Sequence, residues 1–141
     1  MKNKKKHIIS FFSLLFFLVL FIASTEDDSK TQVQVASAKT EYTISAKKLY
    51  SAYDANEVGA DMKYKGKFIE VNGYIADIGK DLMDDIYVTL ETGEYFGSVQ
   101  CFFSDDYATK AAQLSKGQKI TIKGMCDGLM MNVLMRGCII L

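Results

Sequence analysis

KFIEVNGYIADI, residues 67–78, alternates apolar and polar side chains. Ile69, Val71, Gly73 and Ile75 fall on one side, and Phe68, Glu70, Asn72, Tyr74 and Ala76 on the other. A period of two predicts a half-buried strand. The strand is long and has glycine at its centre. That suits a strand that bends sharply in order to serve two sheets of one barrel.

Downstream, residues 86–90 (IYVTL) and 97–103 (GSVQCFF) predict two more strands, with Ile86, Val88, Leu90, Val99, Cys101 and Phe103 inward. Ser104 or Asp105 caps a helix over residues 106–114, which ends near Gly117. Residues 119–126 (KITIKGMC) and 132–141 (NVLMRGCIIL) predict a fourth and a fifth strand, with Asp127-Gly128 as the hairpin turn. Upstream, Ser45 caps a helix over residues 46–55, stapled by Ile44 and Leu49. Asn56 caps at most a short turn over residues 57–61, weakened by Gly59. The expected fold class is therefore mainly β with two helices. A helix between the third and fourth of five strands is the layout of an OB-fold, a partly open Greek-key barrel.

Further toward the N-terminus, Lys2, Lys4, Lys5 and Lys6 precede residues 8–23 (IISFFSLLFFLVLFIA). A basic segment followed by an apolar run is the layout of a signal anchor or a signal peptide. Sixteen residues span roughly 24 Å as a helix against roughly 30 Å of bilayer hydrocarbon, which is borderline for crossing. Cleavage motifs are weak at Ala23 and distant at residues 36–38, and no cysteine stands near the end of the run to be acylated. The expectation is a membrane-anchored protein with its C-terminal domain outside the cytoplasm, secreted if the signal is cleaved. Residues 1–25 form the signal, 26–41 a flexible linker and 42–141 the OB domain.

Composition sets limits on chemistry. The chain has 141 residues, room for one ordinary domain. Its 17 basic and 17 acidic residues balance, but six of the basic and four of the acidic lie in residues 1–41. The remainder carries 11 against 13, a net −2, and lacks a nucleic-acid footprint. The one histidine is His7, which removes His triads and His-ligated metals from the domain. No nucleophile or phosphate-loop motif occurs, so no enzyme is expected.

Residues 55–67 (ANEVGADMKYKGK), 71–73 (VNG), 99–103 (VQCFF), 116–120 (KGQKI) and 124–128 (GMCDG) resemble the tRNA-anti-like group of bacterial OB-fold proteins, many of them exported or membrane-anchored. The resemblance runs from about residue 44 to 141. It implies the OB-fold and kinship of fold with anticodon-binding domains, and it carries over no catalytic residue.

Outward Tyr74, Tyr87 and Phe102 are candidate ligand platforms, and Met130 and Met131 on the last hairpin are further candidate ligand residues. The loop holding Asp77, Asp81, Asp84 and Asp85 repels phosphates, so charge disfavours nucleic acid. Those aspartates lack the alternate spacing of a calcium loop. The cluster of Met125, Met130, Met131 and Met135 with Cys126 reads as core packing before it reads as a copper site. Cys101, Cys126 and Cys138 leave a fourth zinc ligand missing and the pairing of any disulfide open. No metal or cofactor is expected. The reading is a non-catalytic, membrane-tethered extracytoplasmic module for a protein, peptide or envelope glycan; the alternative is an extracytoplasmic nucleic-acid-binding protein.

Overall fold

The fold is taken from a computed structural model, which describes residues 34–141. The basic and apolar segment of residues 2–23 lies outside them. Among the described residues no helix is long and apolar enough to cross a membrane.

Strand β1 (Tyr42–Ser45) leads into helix α1 (Ala46–Ala55), whose cap is the predicted one: the Ser45 hydroxyl accepts from the Lys48 amide at 3.3 Å. Helix α2 (Glu57–Tyr64) follows at once. Then come β2 (Phe68–Lys80), β3 (Ile86–Leu90), β4 (Val99–Phe103), helix α3 (Asp105–Ala111), β5 (Lys119–Leu129) and β6 (Val133–Ile140). The sheet order is β1-β2-β3-β4-β6-β5, and β2 also pairs with β5. The five strands β2 to β6 thus close a ring, with β1 added in parallel beside the first half of β2. This is an OB barrel.

Strand β2 does what its glycine predicts. Residues 68–74 pair with β5, and residues 75–80 pair with β3 across an irregularity at Ile75 and Asp77. A Cβ on Gly73 would stand 3.2 Å from that of Ala46 and 3.4 Å from that of Leu90, so at the bend both α1 and β3 pack against the glycine. The core inside the ring includes Ile69, Val71, Ile75, Val88, Leu90, Val99, Ile122 and Met135, and Leu49 and Tyr53 of α1 close one end.

Several expectations are corrected. The ring is closed rather than partly open, because parallel pairing of β4 with β6 joins its last edges. Helix α2 is a full helix rather than a short turn. The Asn56 side chain accepts from the Gly59 amide at 3.0 Å, and burial of Ala60 and Tyr64 outweighs the cost of Gly59. Strand β1 is additional; four residues beside a helix cap leave no period to read. Asp127-Gly128 is not the hairpin turn. Gly128, at φ 88°, sits in an irregularity within β5, and the turn is formed by residues 130–132. Helix α3 is shorter than expected, and Ser104 makes no side-chain capping bond.

The described part of the expected linker packs on the barrel. Residues 34–37 are helical and Val35 is buried. The Lys123 ammonium, itself buried, donates to the carbonyls of Ala38 at 2.5 Å and Ala36 at 3.5 Å. The Thr40 hydroxyl donates to Glu70 at 2.6 Å, and Lys67 pairs with Glu41 at 3.1 Å.

Candidate ligand-binding face

Alternation along β3 and β4 turns Val88, Leu90, Val99 and Cys101 inward and leaves Tyr87, Thr89, Gln100 and Phe102 on the outer face. Register then sets Tyr87 opposite Phe102. Their ring centroids are 5.9 Å apart with the planes inclined at 60°, a cross-strand aromatic pair. On the far side of Phe102, the Arg136 guanidinium of β6 lies 4.5 Å from the ring centroid. Its Nε donates to Asp127 of β5 at 3.2 Å, which fixes the plane of the guanidinium. Beyond Tyr87 the row meets Gly79 of β2, where a Cβ would stand 2.7 Å from the Tyr87 hydroxyl oxygen. Gly79, Tyr87, Phe102, Arg136 and Asp127 therefore form one row across all five barrel strands.

A shallow cleft of about 220 Å³ opens beside this row, lined by Phe102, Arg136, Asp85, Ser104 and Asp105 among others. The Ser104 hydroxyl oxygen there is buried without a hydrogen-bond partner. In the β2–β3 loop, Asp81 accepts from the amides of Met83 at 2.8 Å and Asp85 at 3.0 Å, so its carboxylate holds the loop's own turn. Asp84 pairs with Lys80 at 3.4 Å. The one cation within the row is Arg136, already paired.

The shifted acid–base groups are not side chains of the row, although the buried Cys138 thiol lies within electrostatic reach of Arg136. The Lys116 amine, 2.6 Å from Asp77, holds that carboxyl below its usual range. Burial pushes the thiols of Cys126 and Cys138 up, and burial together with Cys126 pushes the Tyr53 phenol up.

The predicted site residues divide. Tyr87 and Phe102 come together. Tyr74 stands apart, opposite Lys119, in another shallow depression lined in part by Ser45, Lys47 and Gly93. Met130 and Met131 are exposed in the β5–β6 turn, outside the row. All three cysteines are buried thiols, and the Cys126 sulfur is 3.4 Å from the Tyr53 hydroxyl. Among the described residues no cluster of His, Cys, Asp or Glu could hold a metal. The sequence offers Lys63, Lys65, Lys67, Lys80, Lys119 and Lys123 as cations beside Arg136; its outward position on the last strand, level with Phe102, marks Arg136 as the end of the stack.

The sequence pattern of the tRNA_anti-like family matches residues 1–139. This chain belongs to the tRNA_anti-like family. Among solved structures it is similar to a Klebsiella pneumoniae subsp. pneumoniae MGH 78578 protein, provisionally named a nucleic acid-binding lipoprotein. The TM-score is 0.59 at 22% identity, covering 83% of this chain and 98% of that one. The OBodies AM3L09 and AM1L10, each bound to hen egg-white lysozyme, align with a TM-score of 0.43 at 19% and 21% identity. Each alignment covers 56% of this chain, and 85% and 83% of theirs. No sequence among the curated proteins matches this tRNA_anti-like member.

Proposed function

We propose that this tRNA_anti-like protein is a non-catalytic binding module, anchored at a membrane with its barrel outside the cytoplasm, and that it takes short single-stranded nucleic acid on the β3–β4–β6 face. The observation that carries the proposal is the row Tyr87, Phe102 and Arg136. Two aromatic rings capped by a guanidinium form a platform on which bases stack without regard to sequence. Membership of an OB family and the provisional name of the Klebsiella structure support the same ligand class. Anchoring is supported by Lys2–Lys6 and the apolar run after them. That segment holds no cysteine, so a lipid attached through cysteine is not the route.

The acidic surroundings define the kind of binding. Two platforms at about 1–3 kcal/mol per stacked base, with one guanidinium, place the dissociation constant on the order of 10⁻⁴ M. Fluorescence anisotropy with labelled oligonucleotides tests this. Binding of that strength, lost in Phe102→Ala and weakened in Tyr87→Ala, supports the proposal. Binding that ignores both substitutions overturns it. A second reading, a glycan or peptide ligand, is supported by Asp85 and Asp105 beside the cleft, which suit hydroxyl and amide donors better than phosphate. Competition by neutral oligosaccharides or peptides, with no oligonucleotide binding, would favour that reading.

A further inference from the structure

At one end of the barrel, away from the cleft, three segments are knit together. The Tyr50 hydroxyl of α1 donates to the Phe96 carbonyl in the β3–β4 loop at 3.0 Å. The end of that loop meets the β5–β6 turn: the Ser98 amide donates to Asn132 at 3.0 Å, and the Val133 amide to the Ser98 carbonyl at 3.0 Å. Helix α2 lies against β5 close by, with its Asp61 carboxylate 3.0 Å from where a Cβ on Gly128 would stand. These segments carry large apolar side chains into solvent: Val58 and Met62 on α2, Tyr95 and Phe96 in the loop, Met130 and Met131 in the turn. All six are between 73% and 93% exposed. Tyr95 and Phe96 brace each other edge to face with centroids 4.8 Å apart. So many exposed apolar groups at one end of a small domain mark a contact surface.

We infer that this end of the barrel rests on a lipid membrane, a proposal that depends on the membrane-anchored reading above. Two arguments select lipid. The first is reach. The chain is held to the barrel by the buried Val35 and by the Ala36 and Ala38 carbonyls on Lys123, and ten residues, 24–33, lie between the apolar run and the first described residue. Ten residues extend at most about 35 Å, little more than the width of a domain whose radius of gyration is roughly 13 Å. The barrel of an anchored chain is therefore always at the bilayer surface. The second is composition. Tyrosine and phenylalanine with flexible methionines suit the boundary between headgroups and acyl chains. Glu94 and Lys63 leave the charge around them mixed, so the contact is apolar and does not depend on anionic lipid.

The chain lacks tryptophan, which provides a clean probe. Full-length Tyr95→Trp and Leu82→Trp variants are reconstituted in phosphatidylcholine vesicles brominated high on the acyl chains. Leu82 is at least as exposed but sits in the β2–β3 loop, at the other end of β3. The expected result is blue-shifted emission from the indole at position 95 and its loss to bromine quenching, in low and high salt alike. The indole at position 82 stays unquenched. Chain that floats with vesicles while neither indole is quenched overturns the docking proposal alone and assigns the apolar end to a protein partner. Chain that does not float overturns the anchor together with the proposal.

Discussion

Gly73 is the residue on which the barrel turns. A side chain there meets Ala46 and Leu90 at once, and neither can withdraw without moving α1 or β3. Gly73→Val is expected to destabilise the domain by about 1–3 kcal/mol, read by urea unfolding. A second residue-scale effect is electrostatic. Burial keeps Tyr53, Cys126 and Cys138 neutral in the folded state, above the ordinary phenol value of 10.0 and thiol value of 9.0. As pH rises past 9.0 the unfolded chain loses these protons first, so stability is complete below that pH and falls above it. Tyr53→Phe should flatten the part of that decline above pH 10.0, measured as thermal midpoint against pH. An alkaline decline identical to the parent would remove Tyr53 from the account.

At the scale of elements, the strap formed by residues 34–41 shows how one buried amine can hold a segment on the barrel. Removing the Lys123 side chain leaves the carbonyls of Ala36 and Ala38 without their donor. Lys123→Ala is expected to cost about 1–3 kcal/mol in urea unfolding and to expose residues 34–38 to hydrogen exchange. Unchanged exchange there would mean that Val35 alone holds the strap. The same element shows where reading from sequence stops. Residues 46–55 and 86–90 are legible because cap, staple and alternation are local signals, and both elements fall where those signals put them. The strap and β1 are not, because their partners Lys123, Glu70 and Ile69 lie far along the chain and only the folded barrel brings them near. The candidate face was half legible. Alternation exposes Tyr87 and Phe102, but the stack also needs the register of β4 against β6, which a one-residue slip would abolish.

For the whole molecule, charge bookkeeping limits what the face can do. Many lysines are engaged elsewhere: Lys116 with Asp77, Lys65 with Asp61, Lys67 with Glu41, and Lys63 over the rings of Tyr42 and Tyr64. With Arg136 as the one cation in the row, the logarithm of oligonucleotide affinity should fall with the logarithm of salt at a slope of about −0.7, the value for one phosphate on a single strand. Anisotropy at several salt concentrations measures it, and a slope several times steeper would reveal a basic groove outside the β3–β4–β6 face. The ring itself has a consequence in time. Strand β6 pairs with β5 on one side and β4 on the other, so without it both neighbours are open edges. In a chain that emerges from a ribosome or a translocation pore N-terminus first, β6 comes out after every other strand. No barrel can close until then, and the polypeptide stays threadable through a narrow pore until β6 is through.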